Sequence, residues 1–283
     1  MRAVSFGEVG KERPGVVEGE RLVAVETLDA SWPRSWKRLL GAGLESEVFA
    51  RASRALDQGS VIALSSIRLG PPIPDPSKII AIGLNYRDHA LEQKKEPPLV
   101  PLLFAKAPSC LVGPHDPIRL PDQEPQVDAE AELCLVIGRT ASRVSETEAL
   151  DHVFGWTVMN DVSGRAAQYG DKQWFRGKSF DSFGPSGPWI VRRADLADPT
   201  GLALEADWGS TPMQRGNTRD LIHGPAALVS YVSHQMTLFP GDLISTGTPA
   251  GVGVFREPPA FLERGMLVTV RLEGVGELRN PVI

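Results

Sequence analysis

Glu130-Ala131-Glu132-Leu133-Cys134-Leu135-Val136-Ile137 sets two carboxylates in alternation at the head of an apolar run. In an extended chain side chains alternate between faces, so Glu130 and Glu132 project from one face, roughly 6.5–7 Å apart along the backbone. Like charges side by side against Leu-Val-Ile repel each other and lose hydration. Such a pair persists by sharing a proton, meeting basic side chains or binding a cation. Asp161 closes a second strand-like run, Trp156-Thr157-Val158-Met159-Asn160-Asp161, and supplies a third acid. Three carboxylates with no His or Cys co-ligand in the pattern point to a hard cation, Mg²⁺, Mn²⁺ or Ca²⁺, rather than zinc. The competing reading is a solvated strand edge with two unrelated glutamates. Cys134 shares the glutamates' face and is expected to be a buried structural thiol.

Composition narrows the class. A chain of 283 residues can bury a large core, alone or with a small appendage. A net charge of −5, with no long basic run, gives no electrostatic reason to expect nucleic acid. Glycine (28) and proline (24) are abundant without low-complexity blocks, which favours many turns and a β-rich fold over disorder. The only cysteines, Cys110 and Cys134, lack metal or redox spacing, so reduced thiols in a cytosolic protein are expected. No signal pattern and no apolar segment long enough for a bilayer is present, and a cytoplasmic protein without membrane contact is the expectation.

Residues 1–70 read as a small N-terminal domain. Two short strands flank the Glu18-Gly19-Glu20 turn, and helical stretches follow around Trp36–Leu40 and Glu47–Leu56. Pro71-Pro72-Ile73-Pro74-Asp75-Pro76 can be neither helix interior nor central strand, and it marks the boundary to a second domain over 71–283. There, Lys78–Gly83 suits a buried strand and Asn85–Glu96 a helix. Ser145 with Glu148 predicts a capped helix through His152, ended near Gly155. Pro225 suits the first turn of a helix to about Met236. Leu267–Leu272 and Glu277-Leu278 flank a hairpin turn. Strands and helices do not alternate regularly, so a doubly wound sheet is disfavoured.

Three further features could carry chemistry. Lys178 lies in the turn-rich stretch Arg176–Pro188, where its ammonium could stabilise enolate or alkoxide charge, or simply face solvent. Thr246-Gly247-Thr248-Pro249-Ala250-Gly251-Val252-Gly253 follows the apolar strand Asp242–Ser245. Its glycines would let backbone N–H groups converge on an anion with the Thr248 hydroxyl, unless it is only a tight structural turn. No Gly-Lys-Ser/Thr follows, so a substrate carboxylate suits it better than a nucleotide phosphate. His89 and Glu92, three apart on a helix, could activate water as a general base. His115, His152, His223 and His234 have no comparable setting.

Together these segments resemble the fumarylacetoacetate hydrolase superfamily from Lys78 to the C terminus. The carriers are Gly83-Leu84-Asn85-Tyr86-Arg87-Asp88-His89-Ala90-Leu91-Glu92, Glu130-x-Glu132, Asn160-Asp161-Val162-Ser163, Gly177-Lys178-Ser179-Phe180-Asp181 and Gly247-Thr248-Pro249-x-Gly251-Val252-Gly253. Residues 1–70 look like the short extension of larger bacterial members. The resemblance implies an α+β, β-rich fold, a roll of mixed sheets. It implies a Mg²⁺ or Mn²⁺ site at Glu130, Glu132 and Asp161, charge stabilisation by Lys178, and substrate contacts from Tyr86, Arg165, Gln168 and Thr248. His89 and Glu92 would activate water on a segment that closes over substrate, and the active form would be a homodimer. Two departures bear on substrate range: Ala166 replaces an aspartate common in relatives, and Asp207-Trp208-Gly209-Ser210 replaces a commoner Asn-Gly turn.

A 2-oxo acid can chelate a divalent ion that then acts as a Lewis acid. The expected reaction is hydrolysis of the C3–C4 bond of a 2,4-diketo acid, an acylpyruvate or a 2,4-diketo-3-deoxy sugar acid, to pyruvate and a second acid. The same enolate site also suits oxaloacetate decarboxylation or keto–enol isomerisation. A non-catalytic metal-binding domain is the remaining alternative.

Overall fold

The run carrying the alternating acids folds as a strand buried along its whole length, and everything else is built outward from it. The computed structural model describes residues 1–59 and 61–283. The chain opens with β1 (Arg2–Phe6), β2 (Arg13–Glu18), β3 (Arg21–Ala24) and β4 (Ile62–Ala63), with α1 (Val25–Leu28), α2 (Trp36–Gly41) and α3 (Glu45–Asp57) between the last two strands. Gly19, at φ +58°, makes the β2–β3 turn that the sequence predicts. The Ser35 side chain accepts the Arg38 N–H and starts α2. The α3 face Val48, Phe49, Ala52 and Leu56 is buried at helical spacing.

After the proline segment come β5 (Ile79–Gly83), α4 (Arg87–Glu92), β6 (Leu102–Lys106), β7 (Leu111–Val112), β8 (Val127–Asp128) and β9 (Ala131–Ile137). Next are α5 (Glu146–Ala149), β10 (Val153–Asn160), β11 (Ser163–Gly164), α6 (Arg165–Gly170), α7 (Phe175–Lys178) and β12 (Gly184–Arg192). The final third adds β13 (Ala203–Trp208), β14 (Thr211–Asn217), α8 (Pro225–Gln235), β15 (Leu243–Ser245), β16 (Leu267–Leu272) and β17 (Gly276–Pro281). The main sheet runs β4-β3-β2-β1-β12-β10-β9-β15-β5-β6, with β7 on β12. A second sheet runs β14-β13-β16-β17, and β8 pairs with β11. The main sheet is mixed, since β15 is parallel to β5 and antiparallel to β9. The strand-rich mixed-sheet class expected from the sequence is the one observed.

Three local expectations change. Ser145 does not cap α5 through a backbone N–H; its hydroxyl donates to the Glu148 carboxylate at 2.6 Å. Gly155 ends no helix but sits inside β10, where an added Cβ would lie 2.2 Å from the Val191 carbonyl oxygen, so the glycine permits close strand packing. The helix expected over Asn85–Glu96 is confined to Arg87–Glu92.

The boundary placed at residue 70 is not a break in the sheet. Strand β1 pairs with β12, Ala3 opposite Ile190, so the first strands continue the sheet that carries the acids. The Trp36 ring lies 5.7 Å from both Phe49 and Phe154, and its indole N–H donates to the Val4 carbonyl at 2.7 Å. Removing residues 1–70 would bare Ile190 and Phe154 to water, each side chain worth about 1.5–3 kcal/mol when buried. The 71–283 fragment is expected to be poorly soluble or to unfold well below the full chain, as circular dichroism melting would show.

Candidate active site

The antiparallel register of β9 and β10 brings the three acids together. Asn160 pairs with Ala131 and Met159 with Glu132, and the Asp161 N–H donates to the Glu130 carbonyl at 2.9 Å just past the paired residues. Glu130 and Asp161 therefore face each other across the strand ends, with Glu132 one pleat further along. One carboxylate oxygen from each lies within 4.8 Å of the others, and all three side chains are buried.

Cations from three other elements meet this cluster. Lys178, at the end of α7, donates to Glu130 at 2.7 Å and to Asp161 at 2.6 Å, beneath the Phe104 ring. Lys106, at the end of β6, donates to the other Asp161 oxygen at 2.6 Å and to the Lys178 carbonyl. Arg165, opening α6, donates to Glu130 at 2.6 Å and to Asp128 at 2.7 and 3.0 Å. Burial alone would raise the Glu130 carboxyl, but Lys178 and Arg165 outweigh it and hold the group well below the usual carboxylate range. Burial likewise opposes the Lys178 charge, and Asp161 and Glu130 overcome it, raising the ammonium above its ordinary value.

Among the described residues Glu132 has no such partner and accepts only the Ser245 hydroxyl and, at 2.9 Å, the Gly247 N–H. Burial, then the Asp161 and Glu130 charges, push its carboxyl well up. Three converging oxygen donors, one lacking a counter-charge, fit a hard divalent cation. Zinc would favour the nitrogen and sulfur ligands this cluster lacks.

Glu130 and Glu132 line a cavity of about 160 Å³. His89 and Phe255 line its wall, their rings 6.1 Å apart. The His89 Nδ1 lies 3.0 Å from Glu92, whose other oxygen accepts the Gly251 N–H at 2.9 Å. With Nδ1–H donating to Glu92, the Nε2 lone pair is the basic position, and it meets the Gln93 side-chain nitrogen at 2.8 Å. The 246–253 loop does gather backbone N–H groups around anions, but these are the protein's own carboxylates. Gly247 serves Glu132, Ala250 serves Asp88 and Gly251 serves Glu92. Gly247 and Gly251 sit at φ +99° and +105°. An added Cβ would lie 2.9 Å from the Asn85 Cβ at the first and 2.2 Å from the Met213 carbonyl oxygen at the second.

The residues expected to contact substrate are placed unevenly. Arg165 and Gln168 line the cavity and are joined at 2.9 Å. Thr248 lines it too, but its hydroxyl donates to the Ala131 carbonyl and accepts from Gln214. Tyr86 is fully buried and does not line the cavity, and its hydroxyl has no partner among the described residues. Ala166 is exposed, and its N–H donates to Glu124, whose carboxylate also takes the Ala167 N–H at the start of α6. Sequence reading missed Asp128, which accepts Arg165 and the Ala129, Gly253 and Val254 N–H groups. Its signal was present, since Asp128-x-Glu130-x-Glu132 continues the same alternation backward. Lys106 was legible in part, as a lone charge ending Leu102-Leu103-Phe104-Ala105.

Residues 78–283 match the family model described as fumarylacetoacetate hydrolase, C-terminal. The chain is 39% identical to oxaloacetate tautomerase fahd2, mitochondrial, of Xenopus laevis, covering all of this chain and 90% of that protein. It is 40% identical to 2,4-didehydro-3-deoxy-L-rhamnonate hydrolase of a Sphingomonas strain, covering 100% and 96%. Among solved structures, maleylpyruvate hydrolase of Sphingobium sp. SYK-6, in complex with manganese(II) and pyruvate, superposes with a TM-score of 0.81. That protein is 31% identical, with 100% of this chain and 99% of that one covered.

The unpaired charge at Glu132 has a measurable consequence. A carboxyl raised in the folded state destabilises the fold as pH climbs above its unfolded value, because only the unfolded chain ionises freely. In chelator, Glu132→Gln should melt at or above the parent temperature, with a larger gain at pH 8 than at pH 5. Mn²⁺ is expected to raise the melting temperature of the parent, and the same variant should lose most of that rise. A variant that melts lower in chelator and still responds to Mn²⁺ would contradict this account.

Proposed function

The chain belongs to the fumarylacetoacetate hydrolase family and is an enzyme, and from that premise we propose that it hydrolyses a carbon–carbon bond in a 2,4-diketo acid. The observation that carries this reading is His89, backed by Glu92 at 3.0 Å, in the wall of the cavity that Glu130 and Glu132 also line. In this proposal Glu130, Glu132 and Asp161 hold Mg²⁺ or Mn²⁺. The ion, when bound, supplies Lewis acidity to the carboxylate and 2-oxo oxygens of a substrate.

The protein's own groups supply the rest. Glu92 accepts the Nδ1 proton and fixes the imidazole so that Nε2 is the base. Nε2 takes a proton from water as its oxygen attacks the 4-carbonyl. The C3–C4 bond then breaks, its electron pair passes to C3 as the enolate of pyruvate, and the acyl carbon leaves as a carboxylic acid. The Lys178 ammonium, fixed between Glu130 and Asp161, offsets the enolate charge until the imidazolium returns a proton to C3. Arg165 and Gln168 orient the substrate from the side wall.

A second reading is favoured by the Xenopus relative: tautomerisation of oxaloacetate, in which the same base moves a C3 proton and no water attacks. Isotopes separate the two. Hydrolysis in oxygen-18 water puts one label into the released acid, whereas tautomerisation exchanges the C3 hydrogen with deuterium and releases no second acid. With acetylpyruvate, label is expected in the acetate, and His89→Ala should lower that turnover roughly 10²–10⁴-fold. Exchange without cleavage across a panel of diketo acids would favour the tautomerase.

We also propose that the enzyme works as a homodimer. Among the described residues strand β6 ends the main sheet with an unpaired edge, and Leu99, Val100, Leu102 and Phe175 beside it are exposed, Leu99 to 96%. Two buried free thiols suit the reducing cytoplasm. Sedimentation equilibrium should give twice the chain mass, reverting towards the monomer in Leu99→Asp/Leu102→Asp.

A further inference from the structure

Besides the His89 ring, three cationic side chains line the cavity, and two of them are already committed. Arg165 is held by Asp128 and Glu130, and Lys178 by Glu130 and Asp161. Lys95 is not. Among the described residues its ammonium meets no carboxylate and donates instead to the neutral Gln93 side-chain oxygen at 3.0 Å. Its position comes from the way α4 ends. Lys94 adopts a left-handed conformation, φ +54°, and the Lys95 N–H returns to the Ala90 carbonyl at 2.9 Å. A side chain other than glycine enters that region at a cost. The reversal leaves residue 95 exposed and lining the cavity.

Gln93 links this cation to the proposed base. Its amide oxygen takes the Lys95 proton, and its nitrogen lies 2.8 Å from the His89 Nε2. The amide thus occupies the lone pair that water activation needs.

We propose that Lys95 and Gln93 form a subsite for a second anionic group, so that the preferred substrates are 2-oxo acids carrying a carboxylate at the end remote from the oxo group. The inference rests on reading the cavity as a 2-oxo acid site. A carboxylate that reaches Lys95 also comes within reach of the Gln93 amide. A carboxylate oxygen is a stronger acceptor than a neutral imidazole, so the amide turns to it and leaves Nε2 free. The substrate's far end thereby uncovers the base, and a substrate without that charge leaves Gln93 on His89.

The binding test uses the full chain with Mn²⁺ and two acids of equal length that the proposed reaction does not cleave, 2-oxoglutarate and 2-oxopentanoate. Calorimetry at fixed ionic strength should show 2-oxoglutarate bound more tightly, by on the order of tenfold, the scale of one charged hydrogen bond. Lys95→Met should bring the ratio to within about twofold, while Lys95→Arg keeps most of it. Arg87→Gln, which removes an equal charge from the exposed side of α4, should leave the ratio as it was. A ratio near one in the parent, or one that survives Lys95→Met, overturns the subsite.

The kinetic test compares 2,4-dioxoheptanedioate with 2,4-dioxoheptanoate, which share length and scissile bond. The diacid should have the higher kcat, and Gln93→Ala should close that gap by raising kcat for the monoacid. A gap unchanged in Gln93→Ala overturns the uncovering of the base. If neither diketo acid is cleaved while the binding ratio holds, the hydrolase reading falls and the subsite stands. If both are cleaved and the binding ratio is absent, the reverse is true.

Discussion

Four carboxylates and three cationic side chains share one water-poor pocket, and the need to balance them governs the structure around it. Asp128, Glu130, Glu132 and Asp161 come from neighbouring strands, whereas Lys106, Arg165 and Lys178 arrive from β6, α6 and α7. Breaking one such pair strands its partner in a poorly solvated place, which is far costlier than the pair is favourable. Each counter-charge therefore ties a separate piece of chain to the strand pair. Two helices of six and four residues, too short to persist alone, are fixed in part by a basic residue in each. The balance falls one positive charge short, and the shortfall lies at Glu132.

Much of this was readable before any coordinates, because it follows from period and spacing. The same-face relation of Glu130 and Glu132, the His89–Glu92 neighbourhood, the β2–β3 turn and the β16–β17 hairpin are all set by contacts a few residues apart. The polar partners that complete the site are not local. Ser245 reaches Glu132 across 113 positions and Lys106 reaches Asp161 across 55. A single sequence gives no signal for such pairs until the strand order is known. Tyr86 shows the converse, since motif position suggested a substrate contact and packing put the ring in the core. The 246–253 loop reads as a cradle for a substrate carboxylate or as a tight turn, and no local rule says that the anions its N–H groups meet belong to the chain itself.

The cavity rests on two kinds of support. The acids stand on the central strands of a broad sheet, while His89, Gln93 and Lys95 stand on a short helix and the turn that ends it. Relatives bearing the names of a tautomerase and of a hydrolase are almost equally similar to this chain, at 39% and 40% identity. A shared acidic floor under a variable wall is one physical route by which a single fold serves several reactions of 2-oxo acids.

Glu92 divides its two oxygens between the His89 imidazole and the Gly251 N–H, while Asp88, one turn earlier, takes the Ala250 N–H. The imidazole thus keeps its orientation only while helix and loop are docked together, and Gly247 in that same loop steadies the unpaired Glu132. The imidazole and the least-paired acid thus lean on one loop, and a displacement of that loop would slacken both at once.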